Sequence, residues 1–345
     1  MDDNGPRGAK LAPTSGDATG ADFTDALGRR WIAVEQVEQV GLKEINVAET
    51  ETERRNADQP DHRPPPEPDP RTLSREDLAE KLRPRRLVGE HEYRLEEPDY
   101  EVADRILAME EPPHTNGWDG SESAFARYII GTDDRQRVTT PRFFPGSLNA
   151  RLQDQGCTAT MIGPSTAHSA AHCFYNNGWI ASRIITFGAD TVAPTAPFGS
   201  FLADSLTLPG AWNSNEWDWD FAVLEFSPSR PDIGRQTGWH GVAQNFNGGK
   251  TMVGYPADKP PPSGGECWSK GGTFTATTGS RYQHNIDAVP GDSGAAAWDN
   301  VDRRSNGIQS TQWYQTNPYR VWNEVRRWDV TTYNFFDAYG NWPRG

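Results

Sequence analysis

From about Tyr128 onward the sequence is written in short apolar runs, each stopped within a few residues by Gly, Pro, Asn or Asp. Ala159-Thr160-Met161-Ile162 ends at Gly163-Pro164, Arg183 to Phe187 at Gly188, Phe221 to Phe226 at Ser227-Pro228, and Thr251 to Val253 at Gly254-Tyr255-Pro256. Runs this short suit strands better than amphipathic helices, and turn signals between them are the pattern of an all-β sandwich or barrel. Helical periodicity is missing until Val321 to Trp328, where a terminal helix is expected. No internal repeat is visible, which still allows two β halves of similar build and different sequence.

The first 127 residues obey a different composition. They hold 29 acidic and 17 basic residues, against 19 and 17 in the remainder, and only 2 of the 13 tryptophans. A polar, acidic segment struggles to bury enough apolar surface to offset its ordering entropy. The expectation is therefore a largely disordered acidic leader over residues 1–127 and a folded domain over 128–345. Within the leader, Trp31 to Val34 and Ile45 to Val47 suit short strands, Ser74 followed by Asp77 suits the cap of a helix running through Leu82, and Tyr100 to Met109 suits another helix. Pro64-Pro65-Pro66 marks a linker. The leader reads as a propeptide or as a solubilising tail.

The net charge of −14 argues against nucleic-acid or anionic-membrane partners, which need a concentrated basic face. No run of about 18 apolar residues exists, and the start at Met1-Asp2-Asp3 lacks the basic and apolar pattern of a secretory signal. Cys157, Cys173 and Cys267 allow one bridge and one leftover thiol.

Three short motifs carry chemistry. Ser169-Ala170-Ala171-His172-Cys173 offers a base, Asp220 stands directly before the apolar run Phe221 to Leu224, and Pro290-Gly291-Asp292-Ser293-Gly294 offers a hydroxyl in a glycine cradle. Acyl transfer by a serine needs such a base, a carboxylate that holds the base in the right tautomer, and backbone donors for the developing oxyanion. A zinc site built on His168 and His172 would require a glutamate where Ser169 stands. A hydrolase elbow would require a glycine where Ala295 stands. No metal or other cofactor is expected.

In this order the three motifs resemble those of chymotrypsin-superfamily serine proteases. The resemblance implies two six-stranded antiparallel β-barrels with a C-terminal helix. It also implies His172 as general base, Asp220 as its orienting carboxylate, Ser293 as nucleophile, and the N–H groups of Gly291 and Ser293 as the oxyanion hole. Asp218 then reads as a loop carboxylate. A Cys157–Cys173 bridge matches the family's histidine loop and would contribute on the order of 3 kcal/mol in a chain-entropy treatment. Cys267 would remain a free thiol, and His240 and His284 would be surface or packing residues.

Further stretches look like the bacterial glutamyl endopeptidase branch: Ile129-Ile130-Gly131-Thr132-Asp133-Asp134-Arg135, Val253-Gly254-Tyr255-Pro256 with Asp258-Lys259-Pro260, and Trp268-Ser269-Lys270-Gly271. Members of this branch are made as zymogens. The matching cut would fall between Arg127 and Tyr128, made by an activating protease, with Tyr128–Ile129 as the rival bond and Asp292 as a candidate partner for the freed amine. The primary pocket departs from the branch. Gln309 stands for the pocket histidine and Ala288 for the hydroxyl residue, while Asp287 stands six residues before Ser293, where trypsin-like enzymes carry an aspartate. A basic, an acidic or another side chain at the cleavage site all remain open, and Gln312 and Tyr319 crowd the expected pocket wall. The reading is a secreted, monomeric serine endopeptidase acting on protein or peptide substrates. The alternative is a catalytically silent binding or scaffold protein on the same fold.

Overall fold

The computed structural model describes residues 20–25, 27–34, 69–109, 129–130, 132–153, 156–180, 184–190, 196–213, 216–226, 232–259, 265–316 and 319–340. Ile45 to Val47, Arg127 and Tyr128 lie outside them, as does the side chain of Tyr319.

The described parts of the leader are folded. β1 (Phe23–Thr24) pairs with β2 (Arg30–Ala33). α1 (Arg75–Leu82) starts at Ser74, whose hydroxyl accepts from the Asp77 N–H at 3.0 Å and donates to the Asp77 carboxylate at 2.7 Å. This closes the helix start as a reciprocal cap. β3 (Arg85–Val88) and β4 (His91–Leu95) form a hairpin whose outer strand takes β2. α2 (Tyr100–Ala108) is capped by Asp99, which accepts from the Val102 N–H at 3.2 Å.

After β5 (Gln136–Arg137), which belongs to the second sheet, seven strands continue the first: β6 (Asn149–Leu152), β7 (Cys157–Met161), β8 (Thr166–Ser169), β9 (Ile184–Phe187), β10 (Ser200–Leu202), β11 (Ser205–Leu208) and β12 (Ala222–Glu225). β10 and β11 are two halves of one bent run. The first half pairs with β9 and the second with β12, so the sheet curls back on itself. The other edge of β11 takes β3 of the leader.

The second sheet follows the short helix α3 (Ile233–Thr237). It contains β13 (Gly249–Gly254), β14 (Trp268–Thr278), β15 (Arg281–His284), β16 (Ala296–Asp299), β17 (Ser305–Thr316) and β18 (Tyr319–Arg327) in the order β13-β16-β17-β18-β15-β14. Pairing of β13 with β14 closes it as a six-stranded barrel, and β5 adds to the outer edge of β14. α4 (Val330–Tyr339) ends the described chain, capped by Asp329 through the Thr332 N–H at 2.9 Å. The all-β, two-barrel architecture with a C-terminal helix is thus present.

Two expectations need correction. Val321 to Trp328 is not a terminal helix; Tyr319–Arg327 is β18, and the helix begins at Val330. On a surface helix the charged side chains of such a stretch would face solvent. Instead Glu324 is buried and bonded to Arg281 (2.6 Å) and Trp313 (2.9 Å), and Arg326 is buried on Asp329 (2.6 Å).

Nor is the leader disordered at residues 20–25, 27–34 and 69–109. Trp31, Leu78, Leu82, Val88, Val102 and Ile106 are fully buried in the same core as the first barrel. An average over 127 residues hid these clustered anchors. Part of the acidic excess is met within the leader, where Arg29 pairs with Asp25 and Asp99 (2.8 and 3.2 Å), and the leader's buried Arg86 ties it to the barrel through Glu225 of β12 at 2.6 Å. α2 and α4 are joined by Arg105–Asp337 (2.7 Å), and the Tyr339 hydroxyl donates to Asp99 at 3.1 Å.

Candidate active site

The site forms where the two barrels meet. His172 sits in a 3-10 turn, Ala171–Cys173, that leaves β8. Asp220 ends another, Trp217–Trp219, just before β12. Because β8 and β12 are adjacent strands, with Ala222 opposite Ser169, their ends bring the two residues together.

Asp220 is fully buried. One oxygen accepts the His172 backbone N–H at 2.9 Å and the other meets His172 Nδ1 at 2.8 Å. That second oxygen also accepts from Ser310 Oγ at 2.5 Å. A carboxylate only accepts, so the ring proton belongs on Nδ1, and Nε2 is left with its lone pair. Trp217 and Trp212 pack around the imidazole, at 5.9 and 6.5 Å between ring centroids.

Ser293 comes from the loop between β15 and β16 and is half-buried. Its carbonyl accepts the Thr158 N–H at 2.8 Å, and Thr158 Oγ1 donates to the Gly291 carbonyl at 2.8 Å, so β7 of the first barrel holds the loop from both sides. Gly291 and Gly294 have φ of +102° and +87°. A side chain at Gly291 would strike the Tyr255 carbonyl, and one at Gly294 the Thr158 carbonyl and Ser169 hydroxyl. Only glycine suits both positions. Among the described residues, the N–H groups of Gly291 and Ser293 have no hydrogen-bond partner.

Cys157 and Cys173 form a disulfide across a separation of 16 residues, next to His172. Cys157, His172 and Cys173 are the one group of three such ligand types clustered closely enough to hold a metal among the described residues, and the bond between the two sulfurs removes their thiolates. Replacing both cysteines by serine should cost about 3 kcal/mol. Thermal unfolding of the double variant should show a midpoint lower by roughly 6–12 °C; an unchanged midpoint would count against a stabilising bridge.

The residues expected at the primary pocket, Asp287, Ala288 and Gln309, are all buried. Asp287 is buried, and its Oδ1 accepts the Ile130 N–H at 2.7 Å. Its Oδ2 has no partner among the described residues. Burial, ahead of every other influence, raises the pKa of this carboxyl group. Ala288 is buried in the second-barrel core, and its carbonyl faces Gln312 Nε2 at 3.5 Å. Gln309 accepts from His284 Nε2 at 2.9 Å and donates through Nε2 to the Thr311 carbonyl at 3.3 Å. His284 Nδ1 accepts the Ile286 N–H at 3.2 Å, and burial pulls its pKa down to about 3. It is a neutral imidazole.

Several residues acquire roles that local motifs did not reveal. Asp218, read as a loop carboxylate, lies in the 3-10 turn before Asp220, where it is buried and accepts from Ser280 and Arg281 Nε, the latter at 3.1 Å. His284 touches Gln309, expected at the pocket, a contact across two strands with no signature in sequence. Ser310, next to Gln309, supports Asp220. Asp292 is fully buried and paired with Lys270 of β14. His240 stacks on Trp298 at 5.2 Å and bonds the Arg303 carbonyl at 2.6 Å; buried His168 packs against Trp328 at 5.7 Å. Cys267 is free and buried, its thiol pushed up to about 12, and so inert at neutral pH.

No protein-family model matches the chain. The glutamyl endopeptidase of Bacillus licheniformis is 29% identical over 227 residues, covering 62% of this chain and 68% of the relative. The extracellular metalloprotease of Bacillus subtilis is 23% identical over 188 residues, covering 50% of this chain and 58% of that protein. A solved structure of a Glu endopeptidase in complex with MPD superposes with a TM-score of 0.53 at 26% identity, covering 61% of this chain and 97% of the other.

Barrel architecture, the serine loop between the barrels and these likenesses define a chymotrypsin-superfamily serine protease, an endopeptidase that hydrolyses peptide bonds. Within that superfamily the chain lies near the glutamyl endopeptidase branch.

Proposed function

We propose that hydrolysis runs through Ser293, His172 and Asp220 by way of an acyl-enzyme. The observation that carries this reading is the double grip of Asp220 on His172, which fixes the tautomer with Nε2 as the basic nitrogen. Ser293 Oγ attacks the scissile carbonyl carbon and its proton passes to His172 Nε2. The oxygen that gains charge is met by the N–H groups of Gly291 and Ser293. Collapse of the tetrahedral intermediate breaks the C–N bond, and the leaving amine takes the proton from Nε2. Water then repeats the sequence in reverse and frees Ser293.

In the primary pocket the reading departs from glutamate selectivity. A glutamate side chain would approach Asp287, and the imidazole behind Gln309 is neutral, so neither side supplies positive charge. The enzyme acts on protein or peptide substrates as an extracellular monomer, and a cut in the segment containing Arg127–Tyr128 by an activating protease opens the site to them. Among the described residues no helix is long and apolar enough to cross a membrane.

A labelled fluorophosphonate should attach to Ser293 of the folded, processed protein. A peptide library should show a higher kcat/KM after glutamine than after glutamate, and amino-terminal sequencing of the active form should find a start at Tyr128. Failure to label or cleave would favour a silent scaffold, and strong glutamate preference would overturn the pocket reading.

A further inference from the structure

Lys270 and Asp292 form an ion pair in which both side chains are fully buried. Lys270 lies in the middle of β14, and Asp292 lies between Gly291 and Ser293. The Asp292 carboxylate also accepts the Val289 N–H at 3.0 Å, while its backbone N–H donates to the Val289 carbonyl at 3.0 Å and its carbonyl accepts the Ala295 N–H at 2.9 Å. One residue therefore sets the curvature of the whole turn that carries Gly291 and Ser293.

Burial, the largest influence on each, raises the pKa of the Asp292 carboxyl and lowers that of the Lys270 ammonium; each charge opposes the shift of the other. Arg135, another cation in the neighbourhood, is held by Asp133 and Asp258 at 2.8 and 2.6 Å. The chain entering the barrels is anchored elsewhere, through the Ile130 N–H on Asp287.

We propose that Lys270 is a positioning residue that holds the oxyanion turn through Asp292, so that the catalytic loop is assembled without an ion pair from a freed amino terminus. This rests on the Ser293 mechanism proposed above. A cut at Arg127–Tyr128 is then not needed to build the catalytic loop.

The test measures the rate at which a fluorophosphonate labels Ser293, together with kcat and KM, on the processed enzyme. Cyanate at neutral pH carbamylates α-amines in preference to lysines, because their pKa values are about 8 and about 10.4, and the carbamylated enzyme should label within about twofold of the untreated one. Lys270→Met should lower labelling and kcat by about 10²-fold, the scale of a lost oxyanion donor, with KM little changed. Lys270→Met with Asp292→Asn removes both charges and should recover to within about tenfold of wild type.

Loss of labelling on carbamylation, or wild-type kcat in folded Lys270→Met, would overturn the proposal. If Lys270→Met does not fold, the folded double variant decides: labelling still down by about 10²-fold with both charges removed would overturn the proposal. A wild-type enzyme that never labels would sink the serine mechanism instead, which keeps the two failures apart.

Discussion

Ser293→Ala should lower peptide hydrolysis by about 10⁶-fold while leaving thermal unfolding unchanged. Asp220→Asn should fold and lose about 10⁴-fold in kcat. The Asp220 carboxylate receives three donors: the His172 backbone N–H, the His172 ring N–H and the Ser310 hydroxyl. An asparagine offers one oxygen and turns an N–H₂ toward at least one of them. The imidazole can then accept at Nδ1 only by carrying its proton on Nε2, where the base is required. Steady-state kinetics with an amide substrate, read beside fluorophosphonate labelling, measures both variants. Retention of more than about 1% of kcat in Ser293→Ala, after contaminating proteases are excluded, would remove Ser293 from the mechanism.

A chain starting at residue 129 should fail to fold cooperatively, and a separately supplied fragment containing residues 20–109 should restore it. The leader gives β11 its second neighbour, buries Trp31, Leu78, Leu82, Val88, Val102 and Ile106 in the first-barrel core, and clasps α4 through Arg105–Asp337. Burial of each large apolar side chain contributes about 1.5–3 kcal/mol. Six of them match or exceed a typical total stability of about 5–15 kcal/mol. Loss would also bare a strand edge, an invitation to aggregate.

Removal should therefore be felt at the site as well. α1 borders the segment before Asp220, where Lys81 meets Glu216 at 2.9 Å and its carbonyl accepts the Ala211 N–H at 2.9 Å. Seven residues after His172, the Trp179 indole donates to Glu92 of β4 at 2.7 Å. The same contacts imply that a cut between 109 and 129 leaves the leader bound. Size-exclusion chromatography and calorimetry of the processed protein should find both pieces together. A residue 129–345 chain with the thermal midpoint of the full protein would contradict this.

Local sequence carried the residues proposed to react because each motif is complete within a few residues. Gly291 and Gly294 bracket Ser293, His172 lies beside Cys173, and Asp220 opens the β12 run. Strand identity in the barrels was equally local, since short apolar runs and turn residues need no distant partner to be read. Local patterns misled where burial depended on distant neighbours. Glu324 and Arg326 look solvated in sequence and are enclosed by Arg281, Trp313 and Asp329. The leader looks too acidic to fold, yet its Trp31, Leu78 and Ile106 are buried in the first-barrel core and its Arg86 reaches Glu225, 139 residues away.

By itself, then, the sequence determined the β architecture and the chemical identity of His172, Asp220 and Ser293, because those depend on residue type and near spacing. Tertiary structure alone decided what surrounds them: His284 behind Gln309, Ser310 on Asp220, Lys270 on Asp292, and a leader built into the first sheet. The reason is physical. A buried charge or imidazole is set by whatever group the fold carries to it, and strand pairing brings those groups from tens of residues away.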